Sequence, residues 1–297
     1  MHVGNARSFL LAWLQARAAG GSILLRIEDL DQERAVPGAA ADIVRDLRWL
    51  GLDWDNELTP EYYQSKRFDL YRTVLADLEQ RGLLYPCYCS RRELREAMSA
   101  PHNPGSRYPG TCRNLTPEQR VEKAQSKDPA LRFRVMPGSI VDFNDLVAGP
   151  VHADVRQETG DFIVARADGV PGYQLAVVVD DIAMGVTHVL RGDDLLESTP
   201  RQILLYRAFG VTPPAYAHVP LILDEDGARL AKRHGAISLE ELRDAGNSPE
   251  KVVGWLAWSC GLRPSPEPVK VAELISDFSL ENLRAGPVRL LQDSFSL

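Results

Sequence analysis

The alternation of elements across the first fifty residues constrains the fold more than any other feature of this chain. Residues 5–19 carry Phe9, Leu10, Trp13 and Leu14 at helical spacing, which predicts a helix with these four on its buried face. Gly20-Gly21 ends it. The run Ser22-Ile23-Leu24-Leu25-Arg26-Ile27 then reads as a buried strand closing on Glu28-Asp29. A second helix follows Pro37-Gly38, with Ile43, Val44, Leu47 and Leu50 as its core face. Helix, strand and helix at this spacing predict an α/β fold built on a parallel sheet.

The pattern continues downstream with one interruption. Residues 65–83 read as a helix. From Tyr85 to about Leu115 the chain turns to cysteine, proline and glycine with weak periodicity, the character of an inserted module. Strands are predicted at 130–135, 162–165, 173–179 (ending in Asp180-Asp181) and 187–190, the last running into Arg191-Gly192-Asp193-Asp194. A helix is predicted over 199–209, with Pro200 in its first turn, where proline is favoured. From Ser238 onward the pattern is helical, and the proline-rich stretch 263–268 reads as a turn or linker.

Charge and cysteine usage narrow the function classes. A formal net charge of −7 over 297 residues argues against nucleic-acid binding by bulk charge and leaves room for a local basic patch. There is no apolar run of membrane-spanning length, so no membrane partner is expected. The four cysteines, three of them between 87 and 112, do not form the pattern of a secreted disulfide scaffold, and a cytoplasmic protein is expected.

Four constellations carry chemistry. His2-Val3-Gly4-Asn5 puts an imidazole, a glycine and an amide at a helix start, where backbone N–H groups and the helix dipole favour phosphate. Far downstream, Asp224-Glu225-Asp226-Gly227 turns into Ala228-Arg229-Leu230-Ala231-Lys232-Arg233, which offers a movable cation for phosphate charge. Read alone, the first is an incidental histidine and the second a solvated basic turn. Arg26-Ile27-Glu28-Asp29-Leu30-Asp31 sits at a strand end, the ligand-binding edge of an open α/β sheet, where Glu28 suits an ammonium group. Tyr173 and Arg191 lie by two other predicted strands and suit a substrate carboxylate. Lastly, Cys87, Cys89 and Cys112 have the softness and clustering of a zinc site, with Tyr108 or His102 as the fourth ligand. The isolated Cys260 reads as a core thiol.

These residues together resemble the glutamyl-queuosine tRNA(Asp) synthetases, class I enzymes related to glutamyl-tRNA synthetase but lacking its anticodon-binding domain. The matching stretches are HVGNARSFLLAWLQAR, LLRIEDLDQERAVPGAA, YPCYCSRREL with YPGTCR, GYQLAVVVDDIAMGVTHVLRGDDLLESTPRQ and LDEDGARLAKR, spanning residues 2–235. The pair YPCYCS and YPGTCR favours the queuosine enzyme, whereas RIED is shared with glutamyl-tRNA synthetases generally. The last loop departs from the family's lysine-rich pattern, with Arg229 where a lysine is usual and Ala231 where a serine is usual.

The resemblance implies a Rossmann-like catalytic fold in two parts, 1–84 and 116–237, with a zinc-binding insertion at 85–115 and a helical region at 238–297. It implies that Glu28, Tyr173 and Arg191 hold glutamate, and that His2, Gly4, Asn5 and Lys232 serve catalysis. It further implies that His2, Asn5, Arg229 and Lys232 contact ATP, delivered with Mg2+. One structural Zn2+ would be held by Cys87, Cys89, Tyr108 and Cys112; the choice of Tyr108 over His102 comes from the family pattern. The expected reaction activates glutamate to glutamyl-adenylate and transfers it to queuosine in the anticodon of tRNA(Asp), by a monomer. The family also has a strand and loop of the type RFAPSPTG before HVGN, so a longer N-terminus is expected. Without that central strand, the reading expects an opened core and an incomplete glutamate site. Two alternatives follow: a truncated glutamyl-tRNA synthetase charging a tRNA 3′ end, and an inactive zinc-containing RNA-binding module.

Overall fold

Helix α1, Val3–Ala18, forms where the sequence places it and is capped from its first side chain. His2 is extended, and its Nδ1 accepts a hydrogen bond from the Asn5 N–H at 3.3 Å. The computed structural model describes every residue except 35, 91, 95–106, 229–236 and 291–297. Leu10, Trp13 and Leu14 are buried as expected, but Phe9 is 41% exposed. The helix is instead buried on two sides, because Leu10 and Leu14 enter the main core while Leu11 packs with Val219 and Cys260. Phe9 faces a cavity.

The buried strand expected over 22–27 is an extended segment zipped along one edge by loop groups. Ile23, Leu25 and Ile27 donate to Asp55 Oδ2 (2.7 Å), Asn56 Oδ1 (2.7 Å) and the Tyr62 carbonyl (2.8 Å). Their carbonyls accept from the Asp55 N–H, Asn56 Nδ2 and the Gln64 N–H. The only bridge the segment makes among the described residues is Ile27 with Tyr63. Extended backbone alternates direction, so the polar groups of Leu24 and Arg26 point the other way. They face a cavity of about 2300 Å3, which this segment lines together with α1 and residues 186–192.

Helix α2, Ala39–Trp49, buries Leu47, with Leu50 just beyond it; Ile43 and Val44 are half-buried beside them. Helix α3, Phe68–Gln80, follows. Next comes β1, Leu84–Cys87, which opens the cysteine-bearing region. Helix α4, Pro117–Ala124, begins with a reciprocal capping box between Thr116 and Gln119. Strands β2 (Ala130–Phe133), β3 (Ile140–Asp145) and β4 (Gly149–Asp154), the short helix α5 (Val155–Glu158) and β5 (Phe162–Ala165) complete the middle of the chain. An antiparallel sheet of order β1-β2-β5 and the β3–β4 hairpin result.

Residues 173–179, expected as a strand, begin helix α6, Tyr173–Met184. The run Val177-Val178-Val179 favours a strand by propensity, but burial overrides it. Leu175 through Asp181 are all buried, and a helix covered on all sides shows no 3.6-residue alternation. Extended Gly172 starts it, and Gly185, in the left-handed region at φ 67°, ends it.

The site is completed by β6 (His188–Gly192), α7 (Thr199–Phe209) and β7 (Ala215–Val219). Strands β6 and β7 pair in parallel, with Arg191 opposite His218. The short β8 (Ile222–Leu223) pairs in parallel with β9 (Val288–Arg289). The expected parallel sheet is thus reduced, among the described residues, to these two pairs. Helices α8, Leu239–Asp244, and α9, Pro249–Ser259, supply Leu239, Leu242, Val252, Trp255 and Leu256 to the same core as α1 and α2.

Candidate active site

One wall of the cavity is the start of α1. The Val3 N–H bonds to the Ile237 carbonyl, the Asn5 N–H to the His2 ring and the Ala6 N–H to the His2 carbonyl. That leaves the Gly4 N–H without a hydrogen-bond partner among the described residues. His2, Gly4 and Asn5 all line the cavity. Downstream, the turn 224–228 is closed by the Asp224 N–H on the Ala228 carbonyl at 2.8 Å and by the Ala228 N–H on Asp224 Oδ1 at 2.7 Å. Arg229, Lys232 and Arg233, which follow it, lie outside the described residues, as does His102.

Glu28, Tyr173 and Arg191 line the same cavity. Tyr173 opens α6 and is 39% exposed to it. Its hydroxyl lies 3.5 Å from Arg191 Nη1. Arg191, at the end of β6, is held on its other donors: Nε to His218 Nε2 (3.1 Å), and Nη2 to Thr199 Oγ1 (2.9 Å) and Gln202 Oε1 (2.8 Å). Nη1 is therefore the nitrogen turned toward the cavity. Glu28 gives one carboxylate oxygen to Arg26 Nη2 at 2.9 Å. Arg26 in turn reaches Asp181 at 2.7 Å, so α6 and the 22–28 segment are joined through charge directly beneath the cavity.

The cysteines form a separate centre. Cys87, Cys89 and Cys112 place their sulfurs within 4.8 Å of one another, an arrangement able to hold a metal ion. The Tyr108 hydroxyl lies 3.5 Å from Cys87 Sγ and 3.7 Å from Cys89 Sγ, and Cys89 and Cys112 sulfurs are 3.6 Å apart. Hydrogen bonding with Cys112 and then Cys89 holds the Cys87 thiol far below its ordinary range; burial opposes this, while Tyr108 and Arg132 add to it. Arg132 lies 3.7 Å over the Tyr108 ring and donates from Nε to Cys87 Sγ at 3.2 Å. Gly160 makes the packing possible: it has φ 70°, and a Cβ there would sit 2.8 Å from the Tyr108 carbonyl. Cys260 is buried in the other core, where burial pushes its thiol up to about 11.

Residues 1–284 match the family described as tRNA synthetases class I (E and Q), catalytic domain. The chain belongs to this family. It is 56% identical to the glutamyl-Q tRNA(Asp) synthetase of Symbiobacterium thermophilum, over 98% of this chain and 92% of that one. It is 46% identical to glutamate–tRNA ligase 1 of Alkalilimnicola ehrlichii, covering 95% of this chain and 59% of that one. A solved glutamate tRNA ligase from Elizabethkingia meningosepticum, in complex with its amino acid, superposes at TM-score 0.83 with 27% identity. That alignment takes in 99% of this chain and 65% of the other. The class I fold expected from the motifs is the fold observed.

Sequence reasoning missed the groups that hold the walls of this cavity together. Asp180 is fully buried and accepts from Gln64 Nε2 (2.7 Å), Arg67 Nε (2.6 Å) and Tyr71 Oη (2.8 Å). Asp145, at the end of β3, bonds His218 Nδ1 at 2.6 Å. The one available signal was Asp180-Asp181 after an apolar run, since buried carboxylates demand partners. Nothing near His218 in the sequence marks Arg191 as its neighbour.

Proposed function

We propose that this chain activates glutamate with ATP and transfers it to queuosine in the anticodon of tRNA(Asp). The observation that carries the proposal is the meeting of Tyr173 and Arg191 on one cavity wall, with Glu28 and the α1 start on the others. Arg191 Nη1 and the Tyr173 hydroxyl take a substrate carboxylate, and the free oxygen of Glu28 takes the ammonium. The substrate's other carboxylate attacks the α-phosphorus of ATP and pyrophosphate leaves. The Gly4 N–H, the His2 ring and the α1 dipole suit the charge that builds on the phosphates in that step, with Lys232 and Arg229 assigned to the same charge and Mg2+ accompanying ATP. A hydroxyl of the cyclopentene ring then attacks the acyl carbon, forming the ester as it loses its proton and AMP leaves.

The near-complete coverage of the Symbiobacterium relative supports this reading over tRNA charging; the resemblance to glutamate–tRNA ligases keeps charging as the rival. On the proposed reading, 1–84 and 116–237 form the catalytic body, 85–115 the metal-binding insertion and 238–297 the helical region. The test has two steps. Glutamate-dependent ATP–pyrophosphate exchange is expected, and its absence favours an inactive RNA-binding module. Labelled glutamate should then appear on queuosine-bearing tRNA(Asp) and not on tRNA(Glu); the reverse pattern sinks the assignment.

We also propose that the cysteine centre holds one structural Zn2+ through Cys87, Cys89, Cys112 and Tyr108. A tetrahedral ion with ~2.3 Å bonds to sulfur sets its ligand atoms ~3.8 Å apart, close to the 3.5–3.7 Å separations present. Bound there, the ion would cross-link β1 to the 108–112 turn. Metal analysis finding no zinc in protein purified without chelator would remove this assignment.

A further inference from the structure

Arg191 and His218 face each other across the parallel β6–β7 pair, on the same side of the sheet. An arginine side chain can only donate, so His218 Nε2, 3.1 Å from Arg191 Nε, must be unprotonated. The ring proton therefore sits on Nδ1, which donates to Asp145 Oδ2 at 2.6 Å. Asp145 is fixed in turn by backbone N–H groups of Val147, Ala148 and His218 on its Oδ1. Burial would raise its pKa, but the His218 bond and these N–H groups outweigh it and bring the carboxyl to about 2. Imidazole and carboxylate are both fully buried. The guanidinium also lies 5.5 Å from the Tyr216 ring, which stacks beside His218. Swinging Nη1 away from the cavity would break the bond to His218 Nε2.

We propose that His218, held in one tautomer by Asp145, is a positioning residue that aims Arg191 Nη1 at the substrate carboxylate. The role rests on the glutamate site proposed above, and it sets how tightly glutamate binds without touching it.

Two variants separate positioning from packing. His218→Asn keeps a donor toward Asp145 and has no acceptor that reaches Arg191; His218→Gln keeps an acceptor at the Nε2 position. In pyrophosphate exchange, His218→Asn is expected to raise KM for glutamate roughly tenfold or more. KM for ATP should stay within about twofold, and His218→Gln should recover part of the loss. Equal losses for both substrates, or no rescue by Gln, overturn the proposal. Nitrogen NMR provides an arm independent of activity. The His218 Nε2 should resonate as an unprotonated nitrogen. The Arg191 Nε–H signal, assigned by its loss in Arg191→Lys, should be protected in the wild type and in His218→Gln and lose protection in His218→Asn. A protonated Nε2, or an Arg191 signal unchanged in His218→Asn, refutes it. A wild-type chain with no glutamate-dependent exchange would refute the functional reading instead, while the NMR arm still decides whether His218 holds Arg191.

Discussion

Asp180 gives the sharpest test of how the cavity floor is held. Its side chain is fully buried on α6 and gathers three groups: Gln64 from the short 3-10 helix Gln64–Lys66, Arg67 from the α3 entry, and Tyr71 from α3 itself. Arg26 Nε, from the segment that carries Glu28, lies 3.8 Å from it. Replacing Asp180 with Asn keeps the volume but removes the charge and turns one acceptor atom into a donor. In a fully buried position, that donor must then face the Arg67 guanidinium N–H or the Gln64 amide N–H. Burying a hydrogen-bonding group without its partner costs about 1–3 kcal/mol, and removing one partner of a buried charge pair about 3–5 kcal/mol. Asp180→Asn is therefore expected to destabilise the protein by about 3 kcal/mol. Tyr71→Phe, which removes one neutral donor while two remain on the carboxylate, should cost about 1–1.5 kcal/mol.

Because the two side chains share one interaction, their effects should not add. Urea unfolding of the wild type, both single variants and the double variant should give a coupling of at least ~1 kcal/mol. Additive losses, or an Asp180→Asn cost below ~1 kcal/mol, would mean that Asp180 is not the anchor of this region and that the argument from buried charge fails here.

Three further outcomes are expected. Asp145 has its pKa depressed to about 2 in the folded chain against ~3.9 unfolded, so its contribution is fully present above the unfolded value and is lost as pH falls through the folded one. Stability should therefore decline from about pH 4 toward pH 2, and an acid titration of Asp145→Asn that declines as steeply would contradict this. Thiol titration of the native protein should find Cys260 unreactive, being buried with a raised pKa; a chelator should expose the half-buried Cys89 to alkylation and leave Cys260 untouched. Gly160→Ala should push the Tyr108 backbone off its position by the 2.8 Å approach, lowering metal retention measured by chelator competition; unchanged retention would mean that Tyr108 is not a ligand.

The motifs were legible because their chemistry is local, and the scaffold between them was not. A helix start such as His2 or a thiol cluster such as Cys87-Tyr88-Cys89 is written in nearby residues, so its local geometry can be expected without knowing the fold. The strand expected at 173–179 fails for the opposite reason. Its valines carry a real β preference, but α6 is packed against α3, α7 and β5, and burial on every side erases the periodicity that would have marked a helix. The same packing brings Asp180 to Tyr71 across 109 residues and Asp145 to His218 across 73. No spacing rule reaches that far. What the sequence does carry is one demand: a carboxylate after an apolar run must find donors. Asp180 and His218 each lie on, or pair with, an element that bears a cavity residue. Asp180 lies on the helix of Tyr173, and His218 on the strand beside Arg191. The buried polar groups thus tie the cavity-facing side chains to the core, and on the proposed function a change in any of these pairs should be read in glutamate affinity and in stability together.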